Sequence, residues 1–584
     1  MKKILSIICM LLISANLWAE PIGEQRARQI AQDFFAQSNT RALGDITLEW
    51  AGDKIGNNSA TGVALDSSLL YIYNRGTNGG FVVVAGDSNA APIIAYSLNT
   101  TLDVNNMAES TAAILDAWCR QVASVRETAK PISGTTMRTT TRNSDEELLY
   151  ETALWSQGEP YNREAPVIDD KRAVTGCGAT AMAIICYYHR WPEYGVGTTP
   201  GYSYTVGGVS YVVPANELGR KYEYDKMLPR YDGEYTEEQG NAVAALMKDM
   251  GTAIEMQYHY AMSGASALTP ITAFAKYFSY SKQMEYDFAT LYSSEDWFEV
   301  IRDNLRKYGP IFFSATGDEG GHAFVVDGYK ADDYFHFNFG WGGISNGYFL
   351  LPNIEFYKDQ SIITCQEPDK DGSTSYVDSM VLYSVNNYYG IISYQKANYT
   401  VGSTFETLIG SFVNIGVVDF NGEVSLVLCD KEGNIKESLY TISDASMVPL
   451  APLCLENQVQ VTITEDIEIG DRLRVYYKGE GSSEWKWARG FYLCESIIDD
   501  VLVAATPEEI AKGMSIAYDK STRTLQFENE HAMKISIYNN ETNALIDSAD
   551  CMMYESCEFA NLAAGEYRVE ASLGGDPYVL NIKL

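Results

Sequence analysis

One cysteine of this chain stands where a nucleophile could form. Cys177 follows Gly176 and precedes an apolar run that ends near Trp191 and Pro192, so the pattern predicts a helix of about twelve residues beginning at Cys177. Unpaired backbone N–H groups and the helix dipole at such a start favour a thiolate over a thiol. Cys186 faces the opposite side of the same helix and is predicted to be an inert core residue.

A thiolate nucleophile needs a base, and the chain offers five histidines: His189, His259, His322, His336 and His531. His189 lies roughly 18 Å along the helix from Cys177, which is out of reach. His259 has no polar partner nearby in sequence, and His531 lies far downstream in a region of different texture. His322 and His336 remain as the two candidates for the base.

The two remaining histidines flank the turn-like segment 328–332, which predicts a β-hairpin. If the hairpin is centred on Lys330, His322 lies opposite Asn338, whose amide could orient the imidazole ring. His336 then lies opposite Phe324 and has no polar partner. This register favours His322 as the base and keeps His336 as the alternative.

Four ordered motifs resemble the streptopain family of papain-like cysteine peptidases. They are QGEPYN (157–162), AVTGC (173–177), GGHAFVVDG (320–328) and NFGWGG (338–343). His322 follows Cys177 by 145 residues, which lies within the roughly 130–150 residues typical of papain-like enzymes. The resemblance covers about the first 385 residues.

The resemblance implies a role for each of four residues. Cys177 would be the nucleophile and His322 the general base and acid. Asn338 would orient the imidazole, and Gln157 would donate to the oxyanion together with the Cys177 amide. Family members usually carry tryptophan directly after the asparagine, whereas this chain has Phe339, and we expect Trp341 to shield the histidine–asparagine pair instead.

The resemblance also implies where substrate binds. The segment 262–266 corresponds by position to the loop beside the pocket for an apolar side chain one place before the cleaved residue. The residues expected to contact substrate are Gly176, Met262, Ser263, Gly264, Ala265, Gly321 and Trp341. No metal or organic cofactor is expected, because the predicted chemistry uses side chains alone.

The composition narrows the class of protein. The chain has 584 residues and a formal net charge of −34, which argues against nucleic acid or an anionic membrane as partner. Residues 1–19 have the pattern of a secretory signal peptide, and no segment is long enough to cross a membrane, so we expect a secreted protein. The cysteines form no CxxC pairs, so neither a zinc site nor a dense disulfide framework is indicated.

The pattern of apolar and polar residues along the chain, together with the resemblance, predicts five segments. After the signal peptide, residues 20–144 form a separate α+β unit that ends in the polar linker 133–144, and the resemblance implies that this unit is the inhibitory propeptide. Residues 145–385 form the two-lobed, papain-like peptidase domain. Residues 386–505 show the short alternating runs of an Ig-like β-sandwich, and 506–584 a final small β-domain with an accessory or sorting role.

The sequence therefore predicts an α+β, papain-like cysteine endopeptidase that is made as a secreted zymogen with all-β accessory domains. Its partners would be protein or peptide substrates and its own propeptide. Two other functions are considered. A catalytically silent homologue could bind protein or glycan through the C-terminal β-domains, although it would not need Cys177, His322, Asn338 and Gln157 together. The same fold could also transfer an acyl group to an amine rather than to water.

Overall fold

The computed structural model describes residues 21–38, 44–55, 67–128, 146–318, 320–330, 333–354, 356–383, 390–396, 398–453, 457–491 and 500–584. By their contacts these residues divide into two compact units, which meet in sequence between Thr374 and Ser375. The predicted signal peptide and the linker 133–144 lie outside the described residues. Within the described residues, no helix combines the length and the apolar character needed to cross a membrane.

The first unit combines helices with one large sheet. Its described helices are α1 (Glu24–Gln37), α2 (Glu109–Thr128), α3 (Cys177–His189), α4 (Glu237–Ala253), α5 (Thr269–Tyr277) and α6 (Ser294–Tyr308). Its described strands are β1 (Ile46–Gly52), β2 (Leu70–Arg75), β3 (Phe81–Ala85), β4 (Ile93–Ser97), β5 (Glu147–Leu149), β6 (Val167–Ile168), β7 (Lys171–Arg172), β8 (Thr198–Thr199), β9 (Tyr202–Val206), β10 (Val209–Val213), β11 (Asn216–Glu217), β12 (Glu285–Phe288), β13 (Ile311–Gly317), β14 (Gly320–Lys330), β15 (Phe335–Asn338), β16 (Gly347–Phe349) and β17 (Lys358–Thr364).

The N-terminal segment and the segment that carries the histidines share one sheet. Its strands follow the order β1-β2-β3-β4-β16-β15-β14-β13-β17-β12, and β5 pairs with β14. The junction is the antiparallel pair of β4 and β16, in which Tyr96 lies opposite Tyr348. A common core joins Trp118 of α2 to Phe313 and Phe349 of the sheet. In this form of the chain the sheet and the core of the N-terminal segment continue into the following segment, and the assignment of residues 20–144 as a propeptide stays a prediction.

Local patterns along the first unit are confirmed. The spacing of Ala27, Ala31 and Phe35 in the sequence predicts an amphipathic helix over Glu24–Gln37, and α1 has these bounds and buries these three side chains. These side chains pack with Tyr71 and Tyr73 of β2. The burial of one apolar stripe against a sheet is what stabilises a helix of this length.

The second unit consists of strands and one described helix, α7 (Pro507–Lys512). Its described strands are β18 (Met380–Tyr383), β19 (Ile391–Ser393), β20 (Thr404–Ile409), β21 (Ser411–Asn414), β22 (Phe420–Cys429), β23 (Ile435–Met447), β24 (Pro452–Leu453), β25 (Asn457–Thr462), β26 (Arg472–Gly479), β27 (Lys486–Trp487), β28 (Gly490–Phe491), β29 (Asp500–Leu502), β30 (Met514–Asp519), β31 (Thr524–Asn529), β32 (Met533–Asn539), β33 (Leu545–Cys551), β34 (Ser556–Phe559), β35 (Glu566–Ser572) and β36 (Tyr578–Lys583).

One apolar core runs through the second unit from Met380 to Leu573. Short alternating runs of apolar residues at 423–428, 472–477 and 534–538 indicate strands, and each lies within a strand of the structure. A disulfide joins Cys551 and Cys557. The Ig-like assignment and the domain boundaries at 144, 385 and 505 stay predictions.

Candidate active site

Cys177 is the first residue of α3 and is partly exposed, as the sequence pattern predicts. Gly176 caps the helix with φ 85° and ψ 148°, a conformation that favours glycine. A Cβ at this position would lie 2.6 Å from Cε of Met256 and 3.0 Å from the carbonyl oxygen of Ser263. The thiol therefore sits on a turn that only glycine fits.

Hydrogen bonds fix this turn and bring the Gln157 segment beside it. The Thr180 hydroxyl donates to the carbonyl of Gly176 (2.9 Å) and lies 2.9 Å from the hydroxyl of Thr175. The backbone N–H of Thr175 donates to the carbonyl of Gln157 at 3.0 Å. Gln157, which is half-buried, is therefore joined through its backbone to the residue two positions before Cys177.

The thiol of Cys177 is held neutral in this form of the chain. Burial raises its pKa, although the backbone N–H groups of Ala323 and Gly178 act to lower it. The helix start alone predicted a depressed pKa, and that prediction is wrong here because desolvation of the thiolate outweighs the backbone donors. The negative charge of Glu109, on α2, adds to the increase.

His322 lies on β14 opposite Ala315 of β13 and is 9 % exposed. Burial lowers its pKa. Its buried Nε2 has no hydrogen-bond partner among the described residues. Burial thus disfavours the imidazolium, and Nε2 lacks a described partner that would orient it.

The hairpin register differs from the predicted one. Asn338 lies opposite Val325 rather than opposite His322. Alternation along β14 then places His322 on the opposite face of the strand from Val325, and so from Asn338. The predicted contact between His322 and Asn338 is therefore wrong for this structure, and the cause is the turn, which is not centred on Lys330.

Asn338 instead faces the segment that leads to the glutamine. Its Nδ2 donates to the Thr152 hydroxyl and to the carbonyl of Ala153, both at 2.9 Å. Its Oδ1 accepts the backbone N–H of Gly340 at 3.2 Å. The side chain is 1 % exposed as a whole residue, so its amide is held in one orientation.

The alternative base, His336, has a polar partner after all. Its Nδ1 lies 2.5 Å from Oδ1 of Asp327, whereas the predicted register left it without one. The Thr152 hydroxyl donates to the other carboxylate oxygen of Asp327. Sequence reasoning missed Asp327 and Thr152, although an aspartate that directly follows the apolar run 323–326 is a signal that could have found the first.

The glycine-rich loop 340–343 joins the two sides of the site. The backbone N–H of Gly342 donates to the carbonyl of Trp155 at 2.8 Å, two residues before Gln157. A Cβ at Gly340, where φ is 71°, would lie 3.0 Å from Cγ2 of Thr180 on α3. Trp341 is half-buried and packs against the edge of the core.

The predicted substrate residues occupy two places. Met262 is 62 % exposed, whereas Ser263 is buried and its hydroxyl donates to the carbonyl of Val174 at 2.7 Å. The Ser263 bond joins the loop 262–266 to the segment that leads into Cys177. The backbone of Gly264 pairs with that of Gln257, which holds the other side of the loop. Gly321 directly precedes the histidine on β14, and Ala265 is half-buried in the loop.

Helix α2 of the N-terminal segment covers strand β13 beside the histidine. A Cβ at Gly317 would lie 2.9 Å from the Cβ of Ala113, so the helix approaches the strand closely. The Arg120 guanidinium lies 3.2 Å from the Asp318 carboxylate and donates to the carbonyl of Phe356 at 2.7 Å. Trp118 Nε1, also on α2, donates to the carbonyl of Leu350 at 3.0 Å.

Among the described residues, no group of histidine, cysteine, aspartate and glutamate side chains is arranged to hold a metal ion. A nucleophilic thiol on a helix start, a histidine on a neighbouring strand and backbone donors beside the thiol are the groups that a cysteine peptidase uses.

Comparison with known proteins agrees with this class. Residues 155–349 match the model of the peptidase C10 family, and residues 19–122 match that of the Spi protease inhibitor. Streptopain from Streptococcus pyogenes is 30 % identical over 351 residues, which cover 56 % of this chain and 84 % of streptopain. The thiol protease/hemagglutinin PrtT of Porphyromonas gingivalis is 30 % identical over 363 residues, which cover 60 % of this chain but only 41 % of PrtT.

A solved structure of a mutant fragment of Prevotella intermedia prointerpain A is 26 % identical with a TM-score of 0.45 and is matched over 99 % of its length and 55 % of this chain. The streptopain relationship establishes the family. The chain belongs to the streptopain family of cysteine peptidases, peptidase family C10, and is a cysteine-type endopeptidase.

Proposed function

We propose that the chain is the zymogen of a secreted cysteine endopeptidase, in which residues 20–144 block the cleft until they are removed. The observation that carries this proposal is the position of α2, which packs Ala113 onto Gly317 while Glu109 acts on the pKa of Cys177. The match of residues 19–122 to a protease inhibitor model supports it. Incubation of the purified precursor under reducing conditions should give a smaller species that cleaves casein, whereas an unchanged mass without cleavage would contradict the proposal.

In the proposed mechanism, the thiolate of Cys177 attacks the carbonyl carbon of a peptide bond. The backbone N–H of Cys177 and the Gln157 amide donate to the oxyanion. His322, as imidazolium, gives its proton to the departing amine, which leaves a thioester on Cys177. Water, deprotonated by the now neutral His322, then hydrolyses the thioester and releases the thiol, with Asn338 holding the imidazole in position.

Activation requires the His322 side chain to move from the face of β14 that packs towards α2 to the face of Asn338. In the precursor Phe324 and Val326, which share its face of β14, lie in the core that also contains residues of α2. Gly320, with φ 126°, and Gly321 precede the histidine, and a Cβ at Gly320 would meet nothing within 4 Å. We propose that this glycine pair lets the ring turn towards Cys177 and Asn338 once α2 leaves.

The buried, neutral state of His322 predicts that acid favours activation. We call the precursor with α2 over β13 the closed form and the precursor with α2 displaced the open form. Burial lowers the pKa of His322 from 6.5 in the closed form, so below pH 6.5 the open form binds a proton that the closed form lacks. The closed form is therefore most favoured above pH 6.5 and loses stability as the pH falls, by at most about 10-fold per pH unit for one group.

The inactive Cys177→Ala precursor isolates this opening from catalysis. Cleavage of its N-terminal segment by added trypsin should accelerate from pH 7.5 to pH 5.5, after correction for the pH dependence of trypsin on casein. The double variant Cys177→Ala, His322→Gln should show a weaker dependence. Equal rates across this range in the Cys177→Ala chain would contradict the prediction.

We propose that Trp341 covers the active His322–Asn338 pair and that Phe339 does not. Trp341→Ala should lower kcat by about 10-fold, the effect of roughly 1.4 kcal/mol of lost transition-state stabilisation. Phe339 is 1 % exposed and its ring centroid lies 5.2 Å from that of Phe324 and 5.4 Å from that of Phe349.

The burial of Phe339 argues against a neutral effect of tryptophan at this position. Phe339→Trp should reduce the free energy of unfolding by about 1–3 kcal/mol, because a larger ring must enter a filled core. Urea unfolding and kcat, measured on both variants, check the two assignments. A harmless Trp341→Ala beside a Phe339→Trp enzyme with higher kcat and unchanged stability would reverse them.

We also propose a preference for an apolar side chain one place before the cleaved residue, in a pocket bordered by the loop 262–266. The hydrogen bond from the Ser263 hydroxyl to the carbonyl of Val174 supports a position of this loop beside Cys177. Of two peptides that differ only by isoleucine or aspartate at that place, the isoleucine peptide should have the clearly higher kcat/KM.

For the second unit we propose an Ig-like β-sandwich followed by a small β-domain in an accessory role.

A further inference from the structure

A chain of buried hydrogen bonds stands behind Asn338. Both hydrogens of its Nδ2 are used, one by the Thr152 hydroxyl and one by the carbonyl of Ala153. An asparagine amide offers two donors on nitrogen and only acceptors on oxygen. With the nitrogen fully occupied on this side, Oδ1 is directed away from Thr152 and can only accept.

The direction of this chain is set by Asp327. The Thr152 hydroxyl has one hydrogen, which it donates to Oδ2 of Asp327, so its oxygen presents a lone pair to Nδ2 of Asn338. The Asp327 side chain is 3 % exposed, and an ionised carboxylate can only accept. A carboxylate at this end therefore excludes the reversed arrangement, in which the Asn338 amide would be flipped.

His336 holds the carboxylate from its other side. Its Nδ1 lies 2.5 Å from Oδ1 of Asp327 and must carry the hydrogen, since the carboxylate has none to give. This bond gives the buried charge a partner and fixes the rotation of the carboxylate. His336 and Asn338 are two residues apart on β15, so both side chains lie on the face towards Asp327.

The backbone at Asp327 is shaped for this contact. Pairing of β14 with β15 shifts register between Val326 and Gly328, which leaves Asp327 as the extra residue of a β-bulge. Bulges of this kind re-aim a side chain, often beside an active site. The carbonyl of Asp327 also accepts the backbone N–H of Tyr150 at 2.8 Å, which ties the bulge to the segment that carries Thr152.

We propose that Asp327, Thr152 and His336 are positioning residues that fix the amide of Asn338 so that its oxygen, which accepts the Gly340 N–H with one lone pair, can accept from the imidazole with the other. The inference rests on the proposed role of Asn338 in the active enzyme. A flipped amide would present N–H groups to the imidazole N–H and repel it. The three residues act only through Asn338, and none of them needs to touch substrate.

The test uses the mature enzyme made from the full chain and begins with Thr152→Val, which removes the hydroxyl and keeps the shape. It should lower kcat by about 10-fold and leave KM unchanged, because the orientation of His322 affects chemistry rather than binding. Thr152→Ser, which restores the hydroxyl, should recover most of the loss. Thr205→Val is the matched control, since that hydroxyl lies 3.2 Å from the Ser210 hydroxyl in an exposed hairpin, and it should have no effect.

The outcomes separate this inference from the proposed function. We call the positioning of Asn338 by Asp327, Thr152 and His336 the relay. If Asn338→Ala is impaired, the relay is overturned by a normal kcat in Thr152→Val or by a loss that Thr152→Ser does not repair. Normal activity in His322→Ala would instead overturn the proposed function. Asp327→Asn provides a second measurement on the relay. It should reduce kcat at least as much as Thr152→Val at unchanged KM, and a fully active, folded Asp327→Asn enzyme would overturn the relay.

Discussion

The Cys177→Ala precursor is expected neither to shorten itself nor to cleave casein, with a loss of about 10⁴-fold or more in kcat/KM. The reason is that alanine cannot form the thioester, so only binding and the oxyanion donors remain. The fold should survive, because the residue is partly exposed and its neighbours are held by Thr175, Thr180 and Gly176. Intact mass, casein cleavage and circular dichroism measure the three expectations.

Cys365→Ala is the matched control for this substitution. Cys365 is also a free, partly exposed thiol of the first unit, and its Sγ contacts the hydroxyl of Tyr308, away from the site. It should process itself and cleave casein at the normal rate. Normal maturation of Cys177→Ala with no other protease present, or loss of activity in Cys365→Ala alone, would contradict the assignment of the nucleophile.

Residues 20–144, supplied as a separate polypeptide, are expected to inhibit the mature enzyme almost completely at saturation. The segment would restore the β4–β16 pairing and return α2 to its place over β13. Arg120→Ala in the segment should weaken inhibition by about 10-fold, because a charged hydrogen bond to the carbonyl of Phe356 is lost together with the ion pair to Asp318. Inhibition constants on one peptide substrate measure this change.

Arg28→Ala provides the control within the same segment. Arg28 pairs with Glu24 on the same helix and donates to the carbonyl of Ile46, so it makes these contacts inside the segment. Its loss should leave the inhibition constant unchanged. Full activity of the enzyme in a saturating excess of the folded wild-type segment would show that the segment does not act as the inhibitor.

The parts of the site that sequence predicts correctly are those set by neighbours along the chain. The apolar run after Cys177 and the amphipathic run from Glu24 each predict a helix at the observed start. In both cases the helix begins where a glycine precedes the periodic residues, which is a local signal. The strands of the second unit follow from alternation for the same reason.

The hairpin register could not be obtained in this way. Its prediction assumed a symmetric turn at Lys330, but Tyr329 pairs with Phe335, so the turn lies farther along the chain; a bulge at Asp327 then changes the register by one residue. A bulge is stabilised by contacts with other segments, here the bond from Tyr150 and the Thr152 hydroxyl. Neither residue is near the hairpin in sequence, and alternation does not fix the position of the turn, so the predicted partners of Asn338 and His336 are wrong.

The electrostatic state of the thiol depends on distant residues too. The helix start is visible in the sequence and favours a thiolate, but burial opposes it more strongly in this structure. Part of this effect is the charge of Glu109, which precedes Cys177 by many residues on α2. The continuous sheet has the same origin, since β4 and β16 pair across segments that sequence treats as independent.

Covalent labelling by an epoxide thiol inhibitor tests the central claim most directly, namely that Cys177 is a nucleophile that becomes active when the N-terminal segment leaves. The inhibitor is added to the precursor and to the processed enzyme at neutral pH, and the labelled peptide is identified by mass spectrometry. We expect one adduct, on Cys177, that forms rapidly in the processed enzyme and at least about 10-fold more slowly in the precursor, where the pKa of this thiol is raised. Labelling of a different cysteine in an enzyme that loses its activity, or equal rates at Cys177 in both forms, would contradict the account.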